Sequence, residues 1–156
     1  MESNLDAQQS TQVKSSTKPG KALTDIRDIC EESIYDFVSE KVRLELEKRG
    51  KYDFEGRLPS QFETRPIYTN DNGDKYLGQW NPATGKREGQ GITVWANNGE
   101  IYEGYYKNGQ RNGRGRYIYY NGNVYEGEWK DDKRYGYGVW TGVNRNAYKG
   151  HYKNDL

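Results

Sequence analysis

One histidine and one cysteine stand in 156 residues. Together they cannot supply the ligand set of a zinc site, and a single cysteine excludes an internal disulfide. A lone Cys30 fits a reducing compartment. Long apolar runs are missing as well: no stretch is long enough to span a bilayer. Hydrophobic residues make up 32% of the chain and the mean hydropathy is -1.24, values that by themselves favour disorder. Glu2 and Asp6 come early and no apolar core follows them, so neither a secretory signal nor a transit peptide is expected. An excess of one charge is also absent. The net charge is +1, and residues 51–156 hold 16 Lys+Arg against 13 Asp+Glu, a difference of +3. So small a field gives no general pull toward nucleic acid, which is disfavoured as a partner.

What the chain does have is 15 tyrosines, 4 tryptophans and 19 glycines, and they recur in order. Val124-Tyr125-Glu126-Gly127-Glu128-Trp129-Lys130 repeats Ile101-Tyr102-Glu103-Gly104-Tyr105-Tyr106-Lys107. Lys75-Tyr76-Leu77-Gly78-Gln79-Trp80 and Ala147-Tyr148-Lys149-Gly150-His151-Tyr152-Lys153 are the same phrase. The leading tyrosines fall at 76, 102, 125 and 148, giving steps of 26, 23 and 23 residues. A fixed period in this range marks a repeat architecture. Each phrase is answered by Gly-x-Gly and an alternating run: Gly89-Gln90-Gly91, Gly113-Arg114-Gly115 and Gly136-Tyr137-Gly138. Aromatic and β-branched residues at period two, bounded by Asn-Gly turns, predict β-hairpins. The surplus in the first interval falls in turns, between Asn81 and Glu88 and between Ala96 and Glu100, where insertions are tolerated.

Alternation puts Tyr125, Gly127 and Trp129 on one strand face and Glu126 and Glu128 on the other. A glycine in mid-strand marks a close approach, here expected to be an aromatic ring from the neighbouring repeat. The paired glycines are expected to do the same on the facing strand. They lead into strands, so they are not phosphate loops, which must open a helix. Glu103, Glu126 and Glu128 are expected to pair with Lys and Arg across strands. One hairpin is marginal alone, but stacked hairpins bury a continuous aromatic stripe.

These residues resemble the MORN repeat: Tyr-x-Gly-x-Trp/Tyr, a polar turn, Gly-x-Gly, a strand, and an Asp/Asn-Gly turn. The repeat-defining positions are Tyr76, Gly78, Trp80; Tyr102, Gly104, Tyr106; Tyr125, Gly127, Trp129; and Tyr148, Gly150, Tyr152. The resemblance implies a mainly β fold, an elongated single antiparallel sheet of consecutive hairpins. It divides residues 66–156 into a half-repeat (66–74), repeats at 75–99, 100–122 and 123–145, and a part at 146–156. It also implies a non-enzymatic scaffold among the proteins of a large cytoskeletal assembly, of the radial-spoke-head type in a cilium or axoneme. The alternative is a peripheral adaptor binding acidic membrane lipids.

Ahead of the repeats, residues 1–22 are polar and expected to be a flexible tail. Residues 23–50 predict an amphipathic helix, or two shorter ones. Thr24 serves as N-cap, Gly50 ends it, and the stripe is Ile26, Cys30, Ile34, Val38, Val42 and Leu46. On that stripe Cys30 reads as a small packing group. The helix either caps the first open edge of the sheet or docks on a partner. Residues 51–65 form a connector, with Pro59 and Pro66 limiting regular structure.

No catalytic, cofactor-binding or metal-ligating residue is expected. His151 holds a variable position, matched by Gln79, Tyr105 and Glu128, without the oriented partner a general base needs. Two features can carry binding. Tyr105, Tyr119, Tyr120, Tyr135 and Tyr137 exceed what a thin core needs and are expected to form an aromatic partner-binding face. Lys86, Arg87, Arg111, Arg114, Lys133 and Arg134 sit in or beside turns that stacking aligns along one edge, suited to anionic lipid or an acidic protein. The last repeat reaches Leu156 in mid-pattern, and the strand edge it leaves is one where another chain can pair.

Overall fold

The computed structural model describes residues 25–156; the polar segment 1–22 and the Thr24 cap lie outside them. Eight strands run in sequence order through one antiparallel sheet. They are β1 (Glu63–Thr69), β2 (Lys75–Trp80), β3 (Arg87–Val94), β4 (Ile101–Lys107), β5 (Gln110–Ile118), β6 (Val124–Lys130), β7 (Lys133–Thr141) and β8 (Ala147–Tyr152). Each strand pairs with the one before it, so every connection is a hairpin. The β4–β5 and β6–β7 turns are two residues long, and Asn108, Gly109, Asp131 and Asp132 all have positive φ. That is what a type I′ turn demands. The longer first interval is taken up outside the strands, at residues 81–86 and 95–100. Pro66, expected to limit regular structure, lies inside β1. It is tolerated because β1 is an edge strand whose register shifts between Arg65 and Tyr68.

The glycine phrase serves two geometries. Gly89, Gly113 and Gly136 take φ of +78°, +95° and +66°, the left-handed region that glycine reaches without strain. The hairpin registers shift in this part of the strands, between Gly78 and Trp80, Gly104 and Tyr106, and Gly127 and Trp129. The second glycines, Gly91, Gly115 and Gly138, lie under tyrosine rings, and a Cβ there would come within 2.4–2.5 Å of the ring. The ring belongs to the same hairpin (Tyr76, Tyr102, Tyr125), not to the neighbouring repeat as the strand pattern led one to expect. Each phenol turns back to donate to the carbonyl three residues on, at 2.7–2.9 Å. A Cβ at Gly127 would instead meet backbone, the Gly138 Cα at 2.5 Å.

The expected helix over 23–50 is three short pieces. Single 3-10 turns at Ile26–Asp28 and Ile34–Phe37 precede α1 (Glu40–Arg49). The side chains of Asp25 and Ser33 accept the N–H two residues ahead, closing local turns that compete with a continuous helix. The Ser39 N–H then donates to the Gly99 carbonyl, pinning the chain to the β3–β4 turn. The stripe residues still pack inward: Ile26, Ile34 and Val42 are fully buried, and Cys30, Val38 and Leu46 lie against them. Burial pushes the Cys30 thiol up. This arm, completed by Tyr52 and Phe54, covers one sheet face rather than the first edge. It packs on Leu77, Ile92, Val94, Ile101, Ile118 and Val124.

Beneath the arm lies an ion pair. Arg116 donates from Nη2 to Glu103 Oε1 at 2.7 Å, and Glu103 is wholly buried. The residues are cross-strand partners, as the alternation implied. The second Glu103 oxygen accepts the Tyr35 hydroxyl at 2.7 Å and the Tyr52 N–H at 3.2 Å. Arg116 also reaches the Gly50 carbonyl at 2.7 Å. Burial first, and then the Glu103 carboxylate, push the Tyr35 phenol well above its ordinary value.

Candidate functional site

The opposite, front face carries the repeat rings. Trp80, Tyr76, Tyr106, Tyr102, Trp129, Tyr125, Tyr152 and Tyr148 follow one another in near-perpendicular contacts, with centroids 5.1–5.8 Å apart. Edge-to-face packing of this kind is favourable beyond the area it buries. Contacts alternate between rings of one strand, four residues apart, and rings of successive repeats. Burial raises the phenols of Tyr76 and Tyr102 well above the ordinary range. For Tyr117, burial and then its hydrogen bond to the Glu100 carboxylate do the same.

An arginine lies over each joint between repeats. Arg87 covers Tyr106 at 4.9 Å and Tyr76 at 5.7 Å. Arg111 covers Trp129 at 4.6 Å and Tyr102 at 5.9 Å. Arg134 covers Tyr152 at 5.2 Å and Tyr125 at 5.8 Å. Each also donates to the next hairpin's turn: Arg87 to the Gly109 carbonyl, Arg111 to that of Asp132, and Arg134 to that of Asp155. These three expected edge cations are thus engaged on the front face. Lys86, Arg114 and Lys133 are exposed.

The five surplus tyrosines do not share a face. Tyr105 is under the arm, its hydroxyl donating to the Phe54 carbonyl at 2.8 Å. Tyr119 is on the front, 4.5 Å from Tyr117. Tyr120 stands exposed where β5 turns toward β6. Tyr135 and Tyr137 are exposed on the back of β7, beyond the arm. His151 stands near Tyr137, ring to ring at 5.8 Å.

Instead, a groove of about 810 Å³ opens on the front face over the first repeat. Its aromatic walls are Tyr68, Tyr76, Trp80, Trp95 and Tyr106, with Arg65, Arg87 and Arg111 among them. Thr93 lines it too, its hydroxyl bonded to that of Tyr106. Arg111 pairs with Asp132 at 3.1 Å and Arg65 with Glu63 at 2.9 Å. Tyr68 and Trp95 were not singled out from the sequence. The period-two alternation that places Tyr76 in front could have found them: Tyr68 is the cross-strand partner of Tyr76, and Trp95 follows two residues after its other partner, Thr93. Among the described residues no group of three or more His, Cys, Asp or Glu is placed to hold a metal ion.

The profile of the MORN repeat matches three consecutive segments, residues 85–100, 102–124 and 125–147. The chain is a MORN-repeat protein. The MORN repeat is a non-catalytic repeat, and MORN repeats generally engage proteins or membrane lipids. No curated protein matches the chain. The matched segments coincide with β3 to β7 and contain Tyr102, Tyr106, Tyr125 and Trp129 of the ring series together with Arg87, Arg111 and Arg134. Among the described residues no helix is long and apolar enough to cross a membrane.

Proposed function

We propose that this MORN protein is a non-enzymatic scaffold that grips a segment of a partner protein along its front aromatic groove. The observation that carries this reading is the groove itself: tyrosine and tryptophan walls with arginines among them. Aromatic and arginine side chains are those enriched at the centres of protein interfaces. The arm seals the other face of the first repeats and so leaves the front for binding. The setting we favour, from the resemblance of the repeat pattern to radial-spoke-head scaffolds, is a cytoskeletal assembly of a cilium or axoneme.

A photo-crosslinking amino acid in place of Tyr68 tests this in cell lysate, with the same group in place of Tyr137 on the back face as comparison. A discrete protein crosslinked from Tyr68 and not from Tyr137, and lost in Trp95→Ala, is the expected result. Equal labelling from both faces would remove the groove from the account. The acidic-lipid reading has fewer free cations than the sequence promised, since Arg111 and Arg134 are paired with Asp132 and Asp155. Should it hold, capture by acidic vesicles would collapse as salt shortens the screening length from about 10 Å at 0.1 M to about 3 Å at 1 M.

A further inference from the structure

The three arginine clamps are equivalent except at one point. Gly109, Asp132 and Asp155 each donate their N–H to the carbonyl of the arginine that clamps them, at 2.9, 3.1 and 3.1 Å. Each returns its own carbonyl to that arginine. In the second and third clamps the aspartate side chain adds a carboxylate, 3.1 Å from Arg111 Nε and 3.1 Å from Arg134 Nε. In the first clamp the position is Gly109 and has no side chain. Among the described residues no carboxylate pairs with Arg87, whose guanidinium donates to the Gly109 carbonyl. Yet Arg87 lines the groove, over Tyr76 and Tyr106, as does the aspartate-paired Arg111.

A second departure lies beside it. Trp80 is the cross-strand partner of Arg87. Its repeat counterpart, Trp129, donates its indole N–H to the Gly115 carbonyl at 3.3 Å. At the equivalent place on β1 stands Arg65, opposite Gly78, where the register shifts, and the buried Trp80 N–H has no hydrogen-bond partner. At Arg87 and at the Trp80 N–H the groove therefore lacks the acceptors found at the equivalent places in later repeats, and its two carboxylates are already committed, Asp132 to Arg111 and Asp74 to the Ala96 N–H and the Asn70 amide. A cation among rings, partly out of water, binds a carboxylate more strongly than one in solvent.

We propose that the groove takes an acidic protein segment, with a carboxylate on Arg87 in the place the missing aspartate holds elsewhere, and a neighbouring aromatic or branched side chain against Tyr68, Trp80 and Trp95. This rests on the groove reading above and specifies its ligand. Gly109→Asp tests it cleanly. A Cβ at Gly109 meets nothing within 4 Å. Its φ of +79° is close to that of Asp155 at +72°, and the variant reproduces the Asn154–Asp155 dipeptide already used two clamps further on.

The full chain, Gly109→Asp, Arg87→Gln and Trp95→Ala are panned against a phage-displayed library of random dodecapeptides, and the enriched peptides are measured by fluorescence anisotropy. Wild type is expected to enrich sequences with Asp or Glu beside Trp, Phe or Leu. Gly109→Asp should melt no lower than wild type and bind those peptides about tenfold or more weakly, the usual scale for a charge-assisted bond. Arg87→Gln should lose the acidic preference and keep the apolar one. Enrichment of apolar peptides without acidic residues, abolished by Trp95→Ala but indifferent to Gly109→Asp, would overturn this inference and leave the groove standing. No enrichment by any form would overturn both. Capture by phosphatidylserine vesicles that Gly109→Asp abolishes, with no peptide enriched, would overturn the protein ligand in favour of a lipid.

Discussion

At the scale of single residues, the glycines decide the fold. Gly127→Val would drive a branched side chain into the Gly138 Cα and the Tyr137 carbonyl, 2.5 and 2.7 Å from its Cβ. Neither is a flexible side-chain end, so the strands must part. A loss of about 3 kcal/mol or more is expected, read as a lowered urea midpoint. An unchanged midpoint would refute the contact. Alternation alone placed Tyr125, Gly127 and Trp129 on one face, and the structure agrees. What alternation could not say was whose ring lies over the paired glycines, because a tyrosine can reach along its own hairpin or across to the next. The return bond from each phenol to the carbonyl three residues on settles it locally. Nor did it separate the two glycines of each pair, one held by φ and one by a ring.

At the scale of elements, the hairpins were legible and the arm was not. A stripe at every fourth residue from Ile26 to Leu46 is buried equally well by one helix or by short turns that each lower one apolar residue onto the sheet. The choice is made by Asp25, Ser33 and the Ser39–Gly99 bond, the last of which joins segments sixty residues apart in sequence. The arm is fastened by Glu103. Glu103→Ala leaves Arg116 buried without its charge partner and removes the acceptor for Tyr35 and Tyr52. A loss of about 3–5 kcal/mol is expected. Hydrogen exchange should show it first at the Tyr52 amide and through residues 26–54, with the β6–β8 amides following only at global unfolding. Equal acceleration across all strands would mean that the arm is not a separate unit.

At the scale of the whole molecule, the five tyrosines expected to form one aromatic face do not lie together. Tyr105, Tyr135 and Tyr137 are on the back, whereas the groove is built from repeat tyrosines together with Tyr68 and Trp95. In a one-layer sheet the same rings are core and surface at once. Which face stays open depends on where the arm lands, and no local pattern carries that. The shared burial of tyrosines also fixes the pH response. Tyr76, Tyr102, Tyr106, Tyr117, Tyr119 and Tyr125 are all raised above 10.0 by burial. The unfolded chain releases these protons near 10, while the folded chain retains them. Stability is therefore full below about pH 10 and falls as pH rises toward the folded values. Melting temperature measured from pH 8 to 12 should drop steeply above 10, with tyrosinate absorbance appearing together with loss of sheet. Absorbance that rises fully before the sheet melts would contradict the burial. The clamps, finally, give the molecule a direction under load. Each arginine reaches forward to the following turn, so a chain drawn from its C-terminal side meets one joint at a time. It should yield in increments of one 23-residue repeat, about 80 Å of extended chain each. The strands locked to the arm should then let go in a single longer step. In an optical trap this protein would behave as a ratchet with a stop at one end.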